Sequence, residues 1–108
     1  MQLDQIFNSG FINDNLQAKN KTEVLQELVK TVIDGGLKLD AAVVMEVLQQ
    51  REKLGSTGIG DGVAIPHGKI PELEELVVAF GRSKEGISFD AIDGKPVNLF
   101  FLLLAPDN

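Results

Sequence analysis

The sequence predicts an α/β fold in which a central mixed, mostly parallel sheet is flanked by helices on both faces. Three observations predict it. Two segments repeat apolar residues at helical spacing, compact apolar runs separated by turn signals read as strands, and the last run, Val97 to Ala105, shows no polar alternation. Apolar residues on both sides of a strand mark burial from both faces, as in the centre of a layered sheet. At 108 residues, 44% hydrophobic and 24% charged, without an obvious linker, residues 1–108 read as a single domain.

Taken in order, residues 1–20 mix Leu3, Ile6, Phe7, Phe11, Ile12 and Leu16 with Asn, Asp and Gly10, which predicts short extended or turn-rich structure. From Thr22, the residues Val24, Leu25, Leu28, Val29, Val32 and Ile33 share one helical side, with Glu23 and Glu27 early and Gly35-Gly36 as the stop. Asp40 can cap a second helix that turns Val43, Val44, Val47 and Leu48 to the core and runs through Arg51 toward Gly55. Gly58 to Ile65 reads as a loop entering a short strand that Pro66 ends, with His67 just beyond it. Leu76 to Gly81 reads as a strand, Lys84 to Gly86 and Ile92 to Pro96 as turns around Ile87-Ser-Phe89, and Val97 to Ala105 as the central strand. A central strand normally leads into a helix that returns across the sheet. Pro106-Asp107-Asn108 follow without one, so the expected domain is truncated at its C-terminus.

Composition narrows the chemistry. Ten basic against sixteen acidic residues, net −6, argue against nucleic-acid binding. The absence of cysteine excludes thiolate sites, and one histidine leaves no pair for zinc, so any metal would have to be oxygen-bound; no metal or other cofactor is expected. The lack of Trp and Tyr weakens direct carbohydrate recognition. No apolar run is long enough to cross a membrane and the start lacks a secretory pattern, so a cytoplasmic location is expected.

The single histidine, His67, ends a segment containing Gly55, Gly58, Gly60 and Gly62 and precedes Gly68. A neutral imidazole nitrogen can attack phosphorus, and glycines let backbone N–H groups close around an anion. A Walker loop is excluded for want of Gly-Lys-Ser/Thr, and no Gly-x-Gly-x-x-Gly fingerprint follows a strand. Arg51 offers a planar fork for phosphoryl oxygens, or is an ordinary helix-terminal cation. Glu52 is either a surface residue or a partner of Arg51. Thr57 could donate its hydroxyl to phosphate or close a turn. Gly68 and Lys69 could offer N–H donors, above all if a helical turn starts there. Gly60 and Gly62 read as loop geometry whose backbone could also cradle a phosphate, and Asp61, Asp90 and Asp93 as turn residues rather than acid/base groups.

Arg51-Glu52-Lys53-Leu54 followed by Gly58-Ile-Gly60-Asp61-Gly62-Val-Ala-Ile-Pro-His67-Gly68 resembles the phosphorylation-site signature of type 2 EIIA domains of the bacterial phosphotransferase system. That signature is shared by fructose, mannitol and nitrogen-regulatory branches. Phe89-Asp-Ala-Ile-Asp93-Gly-Lys-Pro-Val97 is similar to the same family and, with Arg51 to Thr57, leans toward the nitrogen-regulatory branch. The resemblance spans essentially the whole chain and implies the phosphotransferase/anion transport protein-like fold. It implies that His67 accepts a phosphoryl group, at Nε2, from a phosphohistidine on HPr or its nitrogen-branch counterpart, and that Arg51 steadies the phosphate. The implied downstream partner is a regulatory target or an EIIB domain. Sugar uptake and a docking module switched by phosphorylation are the competing roles, with Ile59, Ile65 and Ile70 as a candidate apolar rim. A second site histidine of the family would lie beyond Asn108.

Overall fold

The computed structural model describes residues 11–107. The apolar positions Leu3, Ile6 and Phe7 lie outside the described residues. Helix α1 spans Lys21–Asp34 and α2 spans Ala41–Leu54. Both start where polar side chains satisfy otherwise unpaired N–H groups. Asn20 Oδ1 accepts from Glu23 N at 2.9 Å while Glu23 Oε1 accepts from Lys19 N at 2.8 Å, and Asp40 Oδ1 accepts from Ala42 N at 2.9 Å. The apolar stripe of α1 is buried through Val24, Leu25, Leu28, Val29 and Val32. On α2 the stripe is narrower than expected: Val44 and Leu48 are buried, but Val43 is 43% exposed.

Strands β1 (Ile12–Asn13), β2 (Gly58–Gly60), β3 (Val63–Ala64), β4 (His67–Lys69), β5 (Val77–Ile87) and β6 (Val97–Ala105) form one mixed sheet in the order β1-β5-β6-β3-β2, with β4 also on β6. β1 runs parallel to β5, and β3 and β4 run parallel to β6, whereas β5 and β6 are antiparallel. Strand β6 is central, as its apolar run predicted. Strand β5 is longer than the run that announced it. Where a turn was expected at Lys84 to Gly86, the strand continues through an irregularity between Arg82 and Ile87, with Gly86 at φ +86° and Ser83 Oγ accepting from Gly86 N.

The helices among the described residues take one face of the sheet. A Cβ on Gly81 would run into Leu28 of α1, one on Gly68 would overlap Val47 of α2, and the register places Gly81 opposite Phe100 and Gly68 opposite Leu104. Phe100, Leu102 and Leu104 are fully buried on that face. Their neighbours Leu99, Phe101 and Leu103 point the other way and are half-buried, joined by Val78 and Phe80, with the Phe80 and Phe101 rings 5.2 Å apart. The expected helices on both faces are thus seen here on one. An unbroken apolar sequence cannot disclose this, because burial depends on what packs against each side.

Candidate functional site

Strands β3 and β4 share one register against β6 and read as a single strand broken at Ile65-Pro66. Pro66 has no N–H to give, although its carbonyl still accepts from Leu103 N at 2.9 Å, and Ile65 N turns away to Thr57 O at 3.0 Å. Proline therefore interrupts the strand rather than ending it, and His67 opens β4 instead of following a strand end. The interruption also frees the Ile65 carbonyl to face the His67 ring, with Nδ1 and O 2.8 Å apart.

On the other side of the ring, Arg51 in the last turn of α2 donates its Nε–H to His67 Nε2 at 3.2 Å, and its Nη1 donates to Gly55 O at 2.8 Å. The two contacts fix the tautomer. Nε2 accepts, so it carries the lone pair; Nδ1 carries the proton and donates it to Ile65 O. The ring is half-buried and has its acceptor nitrogen against a guanidinium. Arg51 closes the helix end, as one reading of the sequence expects, and also faces the histidine.

Beside this pair opens a cleft of about 540 Å³ whose walls include Val47, Leu54, Leu76 and Leu103, with Arg51 and Lys69 as its cations. The expected apolar rim is redistributed. Ile59 is exposed, but Ile70 is 1% exposed and belongs to the core, while Leu54, 85% exposed, stands at the cleft.

The glycines divide by role. Gly60 (φ +98°) and Gly62 (φ +78°) shape the tight turn between β2 and β3, with Asp61 also at positive φ. Asp93 holds this turn by accepting from Asp61 N and Lys95 N, which lowers the Asp93 pKa below the usual carboxylate value. Gly68 is small because α2 packs directly over it, and no helical turn begins there: Gly68 and exposed Lys69 pair with β6. Thr57 is 4% exposed and donates its hydroxyl to Glu52, so that proton is already engaged. Glu52 is neither a surface residue nor a partner of Arg51; its side chain is 6% exposed and paired with Lys21 Nζ at 3.0 Å. Among the described residues no cluster of His, Asp or Glu could hold a metal ion, and no helix is long and apolar enough to cross a membrane.

Comparison with known proteins places the chain in a family. Residues 5–108 match the family model described as the phosphoenolpyruvate-dependent sugar phosphotransferase system, EIIA 2. The chain belongs to the type 2 EIIA family. This EIIA chain is 49% identical over 92 residues to a nitrogen regulatory protein of Bradyrhizobium diazoefficiens, covering 85% of the chain and 60% of that relative. It is 38% identical over 108 residues to the fructose-specific EIIABC component of Bacillus subtilis, covering 99% of the chain and 17% of that protein. The crystal structure of the nitrogen regulatory protein IIA-Ntr from Neisseria meningitidis superposes with a TM-score of 0.83 at 42% identity, covering 93% of the chain and 68% of that structure. The mannitol IIA of Escherichia coli, at 24% identity and a TM-score of 0.76, shares the fold. The EIIA chain spans about 60% of the length of the Bradyrhizobium relative.

Proposed function

We propose that this EIIA chain is a phosphocarrier that takes a phosphoryl group from a phosphohistidine on HPr or its nitrogen-branch counterpart onto His67 Nε2, in nitrogen-related regulation. The observation that carries the reading is the ring held from both sides, Nδ1–H on Ile65 O and Nε2 facing Arg51 Nε. In the transfer, the donor histidine's N–P bond breaks and its electron pair returns to that ring, while the Nε2 lone pair of His67 forms the new N–P bond. No proton leaves His67, because Nε2 carries none. With phosphorus on Nε2 and the proton retained on Nδ1 the ring becomes cationic, and the Ile65 carbonyl then accepts a charge-assisted bond. Arg51 exchanges Nε2 for a phosphoryl oxygen. Its guanidinium stabilises charge that spreads over the equatorial oxygens of a loose transition state.

The 49% identity to a nitrogen regulatory protein supports the regulatory branch. The fructose EIIABC relative, matched over nearly the whole chain, supports the second reading, in which phosphate passes on to an EIIB domain for sugar uptake. In a third role, the added charge on His67 switches which protein docks at the Leu54, Leu76 and Leu103 cleft. Incubation with phosphorylated HPr is expected to label the protein with an acid-labile phosphate that His67→Ala abolishes without loss of fold. Labelling that survives His67→Ala refutes the assignment. Rapid onward transfer to a fructose EIIB domain would favour transport, and its absence with retained labelling favours regulation.

A further inference from the structure

The carboxylate of Glu52 is nearly buried, yet it sits one residue from Arg51 and touches neither Arg51 nor His67. Its Oε1 accepts from Thr57 N at 3.0 Å, its Oε2 accepts from the Thr57 hydroxyl, and Lys21 Nζ of the first turn of α1 lies 3.0 Å from Oε1. A buried carboxylate is costly unless it is paired and its oxygens are satisfied, and here both conditions are met. Lys21 is itself seated, 4.7 Å over the buried Phe89 ring and 3.5 Å from Asp90 Oδ2. Ser56 ties the same loop down by donating to Phe89 O at 2.7 Å and accepting from Gly58 N at 3.0 Å.

The contacts continue to the histidine. Thr57, fixed by Glu52, holds Ile65 N on its carbonyl, and the Ile65 carbonyl holds His67 Nδ1. Glu52 also belongs to the helical turn that presents Arg51 to Nε2. We infer that Glu52, anchored by Lys21, is the positioning residue of the site: through Thr57 and Ile65 it sets the tautomer and aim of His67, and through its own helical turn the aim of Arg51. The inference rests on the proposed phosphocarrier reading for its effect on rate, but its effect on the ring stands without it.

The test uses three variants, Glu52→Gln, Thr57→Val and Thr57→Ser, with two readouts: phosphoryl transfer from phosphorylated HPr, and the long-range proton–nitrogen NMR spectrum of the His67 ring. Thr57→Val removes the hydroxyl with little change in volume, and Thr57→Ser retains it. The wild-type ring is expected to show the single Nδ1–H tautomer. Glu52→Gln and Thr57→Val are expected to give a mixture of tautomers and to lower kcat about tenfold to a hundredfold with KM little changed, since misaiming a reacting group costs on that order. Thr57→Ser is expected to restore the single tautomer and a kcat within about twofold of wild type. A folded Thr57→Val protein that keeps the wild-type ring spectrum overturns the inference, as does a Thr57→Ser protein as impaired as Thr57→Val. If HPr fails to label even the wild type, the phosphocarrier reading fails while the ring spectra still decide the role of Glu52.

Discussion

Arg51 contributes more than charge, because its Nε–H and Nη1–H reach two acceptors at once, His67 Nε2 and Gly55 O. Lysine keeps the charge but lacks that planar fork. Arg51→Lys is therefore expected to slow phosphoryl transfer roughly tenfold to a hundredfold, with stability changed by no more than about 0.5 kcal/mol, measured by labelling rates and urea denaturation in parallel. Equal rates would remove Arg51 from the site. At this scale the sequence was most legible where a residue type is scarce and its chemistry specific: a lone histidine among glycines, and an arginine at the end of an amphipathic helix. Thr57 and Glu52 were not legible, because what they do depends on Lys21 and Phe89, brought together only when α1 packs against the rest of the chain.

The pairing of α2 with β4 decides whether Arg51 and His67 meet, and at Gly68 the two elements approach closely. A Cβ there would collide with Val47 Cγ1. Gly68→Ala is expected to destabilise the fold by about 1–3 kcal/mol and to weaken transfer with it, seen as a lower urea midpoint at unchanged slope. On the neighbouring element, Leu28 is fully buried over Gly81, and Leu28→Ala should cost about 2–5 kcal/mol in the same experiment. The turn between β2 and β3 carries a pH signature. The Lys95 and Asp61 amides lower the pKa of Asp93, so its ionised form supports the turn above the ordinary carboxylate pKa, and that support is lost as the pH falls through the lowered value. Hydrogen-exchange protection of the Asp61 amide should thus fall in acid but hold at neutral pH, and Asp93→Asn should erase that acid dependence. Helices and their caps were legible because periodicity and capping are local. The interrupted strand and the irregular β5 were not, since both are settled by cross-strand register with β6.

For the molecule as a whole, the mixed sheet with helices on the Phe100, Leu102 and Leu104 face reproduces the type 2 EIIA architecture at a TM-score of 0.83 to a nitrogen regulatory protein. The sheet serves the site by holding β4 against central β6, which places the ring at the cleft beside the end of α2. An overall charge of −6 coexists with two cations, Arg51 and Lys69, at the cleft, which suits a phosphoryl group arriving there. Composition foretold the acidic balance but not this local reversal, which arises only when α2 and β4 adjoin. The site's central feature is that Nδ1 is committed to Ile65 O while Nε2 faces Arg51 and, on the proposed reading, is the nitrogen that takes the phosphoryl group. After labelling by phosphorylated HPr, nitrogen–phosphorus couplings in the His67 ring should place the phosphoryl group on Nε2, with the proton still on Nδ1. Phosphorus found on Nδ1, or on any residue other than His67, would contradict that commitment.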